Sequence, residues 1–191
     1  MSKIEAGRVE LHEKDIDLVT LCDAVCRIVT SRIFSTNLKI EQEHAANLPK
    51  LFADPRLVRQ ILINLVTNAV KYSQKDGIIK VRTKMESTGE LSLVVSDQGV
   101  GIPPDQIQEA MEPFGQIYDP KMSSTYQGTG LGLPLAKAMM ELHEGELRLE
   151  SIVDQGTTVT VTFPKGRVKP LNSKDSKEDK NAEIDNIQSA G

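Results

Sequence analysis

The segment from Asp54 to Tyr72 constrains the fold of this chain more than any other. Asp54-Pro55 places an N-cap before a proline at the first helical position, where the missing N–H of proline removes a donor that would be unsatisfied anyway. The helix predicted to follow runs to about Tyr72. At about 100° per residue, Gln60, Asn64, Asn68 and Lys71 fall on one narrow polar line. Val58, Ile61, Leu62, Leu65, Val66 and Ala69 lie on one side of that line and Ile63 and Val70 on the other. A helix that is apolar on both flanks of a thin polar stripe must be packed from both sides, which leaves the stripe in a cleft. Asparagine is a mediocre helix former whose amide costs about 1–3 kcal/mol if buried without partners. Two of them one turn apart imply either a polar cavity or a pair of amides bonded to a neighbouring loop.

Local patterns supply the elements around this helix. Residues 8–12 read as a short strand, and Asp15 as the cap of a helix over about 16–34 in which Leu18, Leu21, Val25, Ile28 and Val29 keep the 3.6 period. Residues 38–41 form a second strand candidate, and 78–85 and 91–96 a strand pair around a turn at 86–90. Between 99 and 132 the chain is mostly loop, with a short helix near 105–111. A helix over 133–143 precedes two alternating strands, 147–152 and 157–163, around Asp154-Gln155-Gly156. The sum is an α/β fold, a two-layer α/β sandwich with a mixed sheet covered on one face by three helices. Residues 1–164 make the folded domain. Residues 165–191, with 6 basic and 5 acidic residues in 27, no aromatic and no apolar period, read as a disordered charged tail.

Composition narrows the function classes. The 191 residues carry 23 Lys and Arg against 27 Asp and Glu, with no Trp, 4 Phe and 3 Tyr. Neither a basic surface nor stacking platforms are available for nucleic acid. No apolar run approaches the roughly 20 residues that cross a bilayer, and Met1-Ser2-Lys3-Ile4-Glu5 does not open a secretory signal. A soluble, cytoplasmic domain without direct membrane contact is expected. Cys22 and Cys26, four apart on the first helix, are expected to be small buried hydrophobes, a usage that fits a reducing compartment. The scattered His12, His44 and His143 complete no zinc site with them.

Two further signals sit in loops. Val94-Val95-Ser96 runs into Asp97-Gln98-Gly99-Val100-Gly101-Ile102, where alternate glycines permit close backbone approach and an aspartate at the strand end can accept from an exocyclic amine. The same spacing also suits a plain turn. Gly128-Thr129-Gly130-Leu131-Gly132-Leu133-Pro134 is a glycine-rich loop that feeds a helix, which presents backbone N–H groups to phosphate. It matches neither the dinucleotide-binding Gly-x-Gly-x-x-Gly nor the P-loop spacing.

An Asn-x-x-x-Asn helix, then Asp97-x-Gly99-x-Gly101, then Glu112-Pro113-Phe114-Gly115, then Gly128-Thr129-Gly130-Leu131-Gly132-Leu133, in that order, closely resembles the N, G1, F and G2 boxes of the catalytic ATP-binding domain of two-component sensor histidine kinases. The resemblance covers about residues 4–164 and implies the Bergerat (GHKL) α/β sandwich with ATP and Mg²⁺ as ligands. It implies that Asn68 ligates Mg²⁺, that Asn64 supports the ion and phosphates, and that Lys71 contacts a phosphate. Asp97 is to accept from the adenine amine, with Gly99 and Gly101 shaping the adenine pocket. Gly128, Gly130 and Gly132 are to hinge a lid over 102–127 and offer N–H groups to the triphosphate, while Phe114 packs the lid down. Tyr72, Ile102, Thr129, Leu131 and Leu133 belong to the same nucleotide lining by resemblance.

The wider superfamily's hydrolases carry a glutamate four residues before the Mg²⁺-binding asparagine; this chain has Asn64 there. A neutral amide cannot take a proton from water, so the resemblance implies γ-phosphoryl transfer to a histidine instead. In the family that histidine lies on a separate dimerisation hairpin, and residues 1–7 resemble the stretch that follows one. His12-Glu13 matches the phosphoacceptor context only superficially, because no proline follows, and is read as a strand-end histidine. The implied partners are that hairpin and a downstream response regulator, and a monomer is expected for the domain alone. A non-catalytic ATP-binding signalling or scaffold module of the same fold is the alternative. Where many members have an arginine two residues after the lid phenylalanine, this chain has Gln116, which leaves Lys121 either as the lid cation nearest the γ-phosphate or as a solvated loop lysine. His143-Glu144-Gly145 replaces the common His-Gly-Gly, and the Glu-Pro-Phe-Gly-Gln and Gly-Leu-Pro-Leu-Ala-Lys stretches resemble hybrid and cell-cycle kinases.

Overall fold

The structure is a computed structural model and describes residues 10–31, 37–115 and 129–169. Lys14–Ile16 (β1) leads into helix α1, Leu18–Thr30. Lys39–His44 (β2) and Lys50–Ala53 (β3) precede helix α2, Pro55–Tyr72. Ile78–Met85 (β4) and Leu91–Ser96 (β5) form a hairpin, followed by a single 3-10 turn and the short helix α3, Ile107–Ala110. Helix α4 is Gly132–Leu142, and β6, Glu146–Ile152, and β7, Gly156–Phe163, form a second hairpin. A 3-10 turn at Lys165–Arg167 then leads to β8, Val168–Lys169.

The main sheet has the order β2-β4-β5-β7-β6, with β2 parallel to β4 and every other pair antiparallel. Its strands alternate, except that β5 also buries Ser92 and Val94 on the face away from the helices. Ile79 and Val81, Leu91, Leu93 and Val95, and Val159, Val161 and Phe163 are buried under the helices. The intervening Lys80, Arg82 and Lys84, Ser92 and Ser96, and Thr158, Thr160 and Thr162 occupy the opposite face. One apolar face of a mixed sheet therefore carries α1, α2 and α4, which is the two-layer sandwich expected from the sequence. Among the described residues no helix is long and apolar enough to cross a membrane.

Several expectations shift. The first strand is Lys14–Ile16 rather than 8–12, because Asp15 sits in register with Phe52 of β3. The cap of α1 is consequently Asp17, whose carboxylate accepts from the Thr20 N–H, rather than Asp15. Strand β3 was not foreseen, nor was the separate three-stranded sheet β1-β3-β8. That sheet also corrects the reading of the tail: residues 165–169 turn back and pair with β3, held by Arg167, whose Nη1 donates to Glu13 and, at 3.2 Å, to the Phe52 carbonyl. Residues 170–191 and 1–9 lie outside the described residues. Cys22 and Cys26 are free and buried on one face of α1 as expected, and burial pushes the Cys26 thiol up to about 11, so both act as packing groups.

Candidate functional site

The site is built on α2. Asp54, fully buried, caps it through the Arg56 N–H at 2.9 Å, accepts the His12 N–H at 2.9 Å and is clasped by the Arg56 guanidinium at 2.8 Å. The Arg56 hydrogen bond is the main reason its carboxyl is held well below the usual range. The Asp54 N–H in turn donates to Nε2 of buried His143 at 3.1 Å, and Nδ1 of that ring donates to the Met139 carbonyl at 2.7 Å. The N-terminal end of α2 is thereby tied to the C-terminal end of α4. His12 is not in a strand: its backbone is part of this cap.

One turn into the cleft, the polar stripe is real. Gln60 Nε2 donates to Asn64 Oδ1 at 2.9 Å, and Asn64 Nδ2 donates to the Gly132 carbonyl at 3.1 Å. Asn68 faces the same glycine. A Cβ on Gly132 would stand 3.3 Å from Asn68 Nδ2 and 3.5 Å from Oδ1, and among the described residues no hydrogen bond is made by that carboxamide. Thus one asparagine docks the start of α4, and the other points at it unengaged. No side chain caps α4, whose residue before the first turn is Leu131, so its leading backbone N–H groups stay available. Leu133 packs partly against the core, while Thr129 is exposed.

At the far end of α2, Asp97 Oδ1 accepts the N–H groups of Gly99 at 2.8 Å and Thr157 at 3.3 Å. Among the described residues no hydrogen bond is made to Oδ2. Burial pushes this carboxyl up, with the two N–H bonds opposing. Gly99 and Gly101 serve backbone contact more than pocket lining. Val100 N–H donates to the Tyr72 carbonyl at 3.2 Å, so a Cβ on Gly99 would stand 2.1 Å from that oxygen; one on Gly101, at φ +68°, would stand 2.0 Å from the Ile152 carbonyl. Ile102 N–H donates to Ser151 Oγ at 2.8 Å.

Three expected site residues behave differently. Lys71 Nζ donates to Tyr72 Oη at 2.8 Å and lies 4.5 Å from the centre of that ring, so the lysine and tyrosine pair with each other. Phe114, at φ +65°, is 71% exposed and does not pack down; its N–H donates to the Gly130 carbonyl at 3.1 Å, which brings residues 114 and 130 together. Lys121, Gln116 and Gly128 lie outside the described residues. The sequence reading gives no role to Ser73, which closes the Asn68-Ala69-Val70-Lys71-Tyr72-Ser73 stretch resembling the family; its Oγ is buried with no hydrogen-bond partner beside the Asp97 loop.

A family model described as histidine kinase-, DNA gyrase B- and HSP90-like ATPase matches residues 53–167. The non-motile and phage-resistance protein of Caulobacter vibrioides is 37% identical over 167 residues, covering 86% of this chain and 20% of that protein. The cell-division control histidine kinase PdhS of Brucella anthropi is 33% identical over 178 residues, covering 88% of this chain and 17% of that protein. The chain thus spans about a fifth of the length of these two curated relatives. Among solved structures, full-length ShkA in complex with AMPPNP aligns with a TM-score of 0.75 at 24% identity, over 88% of this chain and 34% of that one.

Proposed function

Because the chain belongs to the histidine kinase-, DNA gyrase B- and HSP90-like ATPase family, we propose that it is the ATP-binding catalytic domain of a sensor histidine kinase, passing the γ-phosphoryl group to a histidine on a separate dimerisation hairpin. The observation that carries this reading is the meeting of Asn64 and Asn68 with Gly132 at the uncapped start of α4. Two neutral amides and a row of backbone N–H groups converge there, a surrounding suited to phosphate oxygens and a hard cation.

The residues fit a Mg²⁺-bound purine nucleotide. Among the described residues no group of three His, Cys, Asp or Glu side chains could cage a metal. The fit therefore rests on a single amide oxygen, that of Asn68, with phosphate oxygens and water completing the shell, as Mg²⁺ prefers. When bound, the ion offsets negative charge on the phosphates. The backbone N–H groups of residues 130–133 would orient the phosphates, and Asn64, fixed by Gln60 and Gly132, would hold Asn68 and α4 in register. Asp97 Oδ2 would accept from the adenine amine. The amide at Asn64 gives water no base, which favours transfer to a histidine over hydrolysis.

The acceptor is not His143, whose two ring nitrogens are both engaged in a buried site, nor His44, bonded to Thr83 and Gln42. The parent's hairpin is the partner for transfer, with a response regulator downstream, and the domain is a cytoplasmic monomer in this reading. The test mixes this chain with the parent's histidine hairpin, Mg²⁺ and ATP labelled at the γ position. Label on the hairpin histidine is expected. ATP binding without label on the hairpin would leave a nucleotide-binding scaffold, and rapid phosphate release would return the chain to the hydrolases.

A further inference from the structure

The Gly132 carbonyl fixes the direction of a chain of hydrogen bonds along α2. A carbonyl only accepts, so the atom of Asn64 that meets it at 3.1 Å is Nδ2. That turns Asn64 Oδ1 toward Gln60, and the Gln60 atom beside it, at 2.9 Å, is the donor Nε2. Gln60 thus donates to Asn64, and Asn64 donates to the first residue of α4. Gln60 itself is exposed, one turn before Asn64 on the same line of the helix that carries Asn68 one turn after it.

This relay acts on one end of α4. The far end is anchored independently, because buried His143 accepts the Asp54 N–H at 3.1 Å and donates from Nδ1 to the Met139 carbonyl at 2.7 Å. At the start no side chain caps the helix, and among the described residues the one side-chain hydrogen bond to Gly132 comes from Asn64. Gly132 in turn stands against Asn68, whose Nδ2 would lie 3.3 Å from a Cβ placed on the glycine. Where Asn64 holds Gly132 therefore sets how the leading N–H groups of α4 stand relative to the Asn68 carboxamide.

We propose that Gln60 is a positioning residue for the phosphate end of the site: by donating to Asn64 Oδ1 it keeps the Asn64 amide turned so that Nδ2 holds the start of α4 against Asn68. The phosphate part rests on the nucleotide reading above, whereas the tether does not. Direction is what the role requires. A carboxylate in place of the Gln60 amide can only accept, and it draws Asn64 Nδ2 away from Gly132 because a hydrogen bond to a charged acceptor outweighs one between neutral groups. The turned amide then sets Oδ1 against the Gly132 carbonyl, acceptor against acceptor. An ammonium group in the same place can only donate and keeps the native direction.

The experiment compares the wild-type chain with Gln60→Ala, Gln60→Glu and Gln60→Lys, each made also in an Asn64→Ala background. Amide hydrogen exchange without nucleotide reads the tether. Gln60→Glu should speed exchange of the Leu135 N–H, bonded to the Leu131 carbonyl at the start of α4, and leave that of the His143 N–H, bonded to the Met140 carbonyl at its end, at the wild-type rate. Calorimetry with ADP and Mg²⁺ should give affinity about three- to tenfold lower in Gln60→Glu, about twofold lower in Gln60→Ala and close to wild type in Gln60→Lys. In the Asn64→Ala background the three substitutions should differ from one another by less than about twofold, which separates a relay through Asn64 from the bare effect of a charge near phosphate. Equal losses of ADP affinity in both backgrounds, or wild-type exchange at Leu135 in Gln60→Glu, overturns the proposal. A wild-type chain that binds no ADP overturns the nucleotide reading and the phosphate role of Gln60 with it, while exchange at Leu135 still decides the tether.

Discussion

Asp97 carries opposite signs for folding and for binding. Burial raises its carboxyl above the ordinary value, with the N–H groups of Gly99 and Thr157 opposing. A carboxyl raised in the fold contributes stability that is present below the unfolded value, about 3.9, and lost as pH rises through the folded value. At neutral pH the ionised side chain is thus a burden on the ligand-free fold, relieved when a donor meets Oδ2. Asp97→Asn keeps an oxygen for the Gly99 N–H but puts an amide where an amine must be received. ADP affinity should fall tenfold or more, the scale of a hydrogen bond to a charged group, about 1.5–3 kcal/mol. Tm at pH 7 should hold or rise. Calorimetry and thermal melts on the same protein decide the matter. Unchanged affinity with a lower Tm would make Asp97 a structural turn residue.

At the scale of elements, α2 is governed by the residue that caps it, Asp54. The Asp54 carboxylate answers the N–H groups of Arg56 and His12, so one side chain fixes the chain entering β1 and the start of α2, while the backbone N–H of the same residue, donated to His143, ties in the end of α4. Asp54→Ala should cost about 2–4 kcal/mol in urea unfolding at pH 7, the sum of a lost cap and a buried N–H left unpaired. Its lowered carboxyl sets the pH dependence. That stability is present above the unfolded value, about 3.9, and is lost as pH falls through the folded one, so the gap between wild type and variant should narrow only below about pH 4. A gap constant from pH 7 to pH 3 would show that the charge is immaterial. The same helix shows what a sequence can reveal. Its cap, proline and 3.6 period are local, and the predicted bounds 55–72 are the observed ones; β4 and β5 agree for the same reason. Strand β3, four residues of Lys-Leu-Phe-Ala before Asp54, is too short to show alternation and exists because β1 and β8 pair with it. In the site, the amide stripe and glycine spacing are local and were legible. The orphaned Ser73 hydroxyl and the exposure of Phe114 depend on what the chain brings alongside, which no window of residues contains, whereas the Lys71–Tyr72 pairing joins neighbours and turns on a rotamer choice that the sequence pattern does not fix.

Across the whole molecule, the small sheet joins the two ends of the described chain to the helix that carries the candidate site. Glu13, just before β1, meets Arg167, just before β8, and both strands flank β3, which runs directly into the Asp54 cap of α2. The Arg167 side chain is 12% exposed and also reaches Glu144 at 3.7 Å, beyond the end of α4. Leu51, fully buried in β3, pairs with Val168. Ending the chain at Pro164 should therefore strand Glu13 without its cation, unpair one edge of β3 and expose Leu51, at a cost of about 1–3 kcal/mol once the partial exposure of Glu13 is allowed for. Ending it at Lys169 should leave stability as in the full chain, because every described contact of the small sheet is kept. Arg167→Met separates the two contributions, removing the ion pair while β8 can still pair, and should fall between them. ADP affinity at 25 °C should be the same in all three, because Asn64, Asn68 and Asp97 contact none of residues 165–169. If the chain ending at Pro164 unfolds at the same urea concentration as the chain ending at Lys169, the small sheet contributes nothing to the fold and its two termini are only passing neighbours.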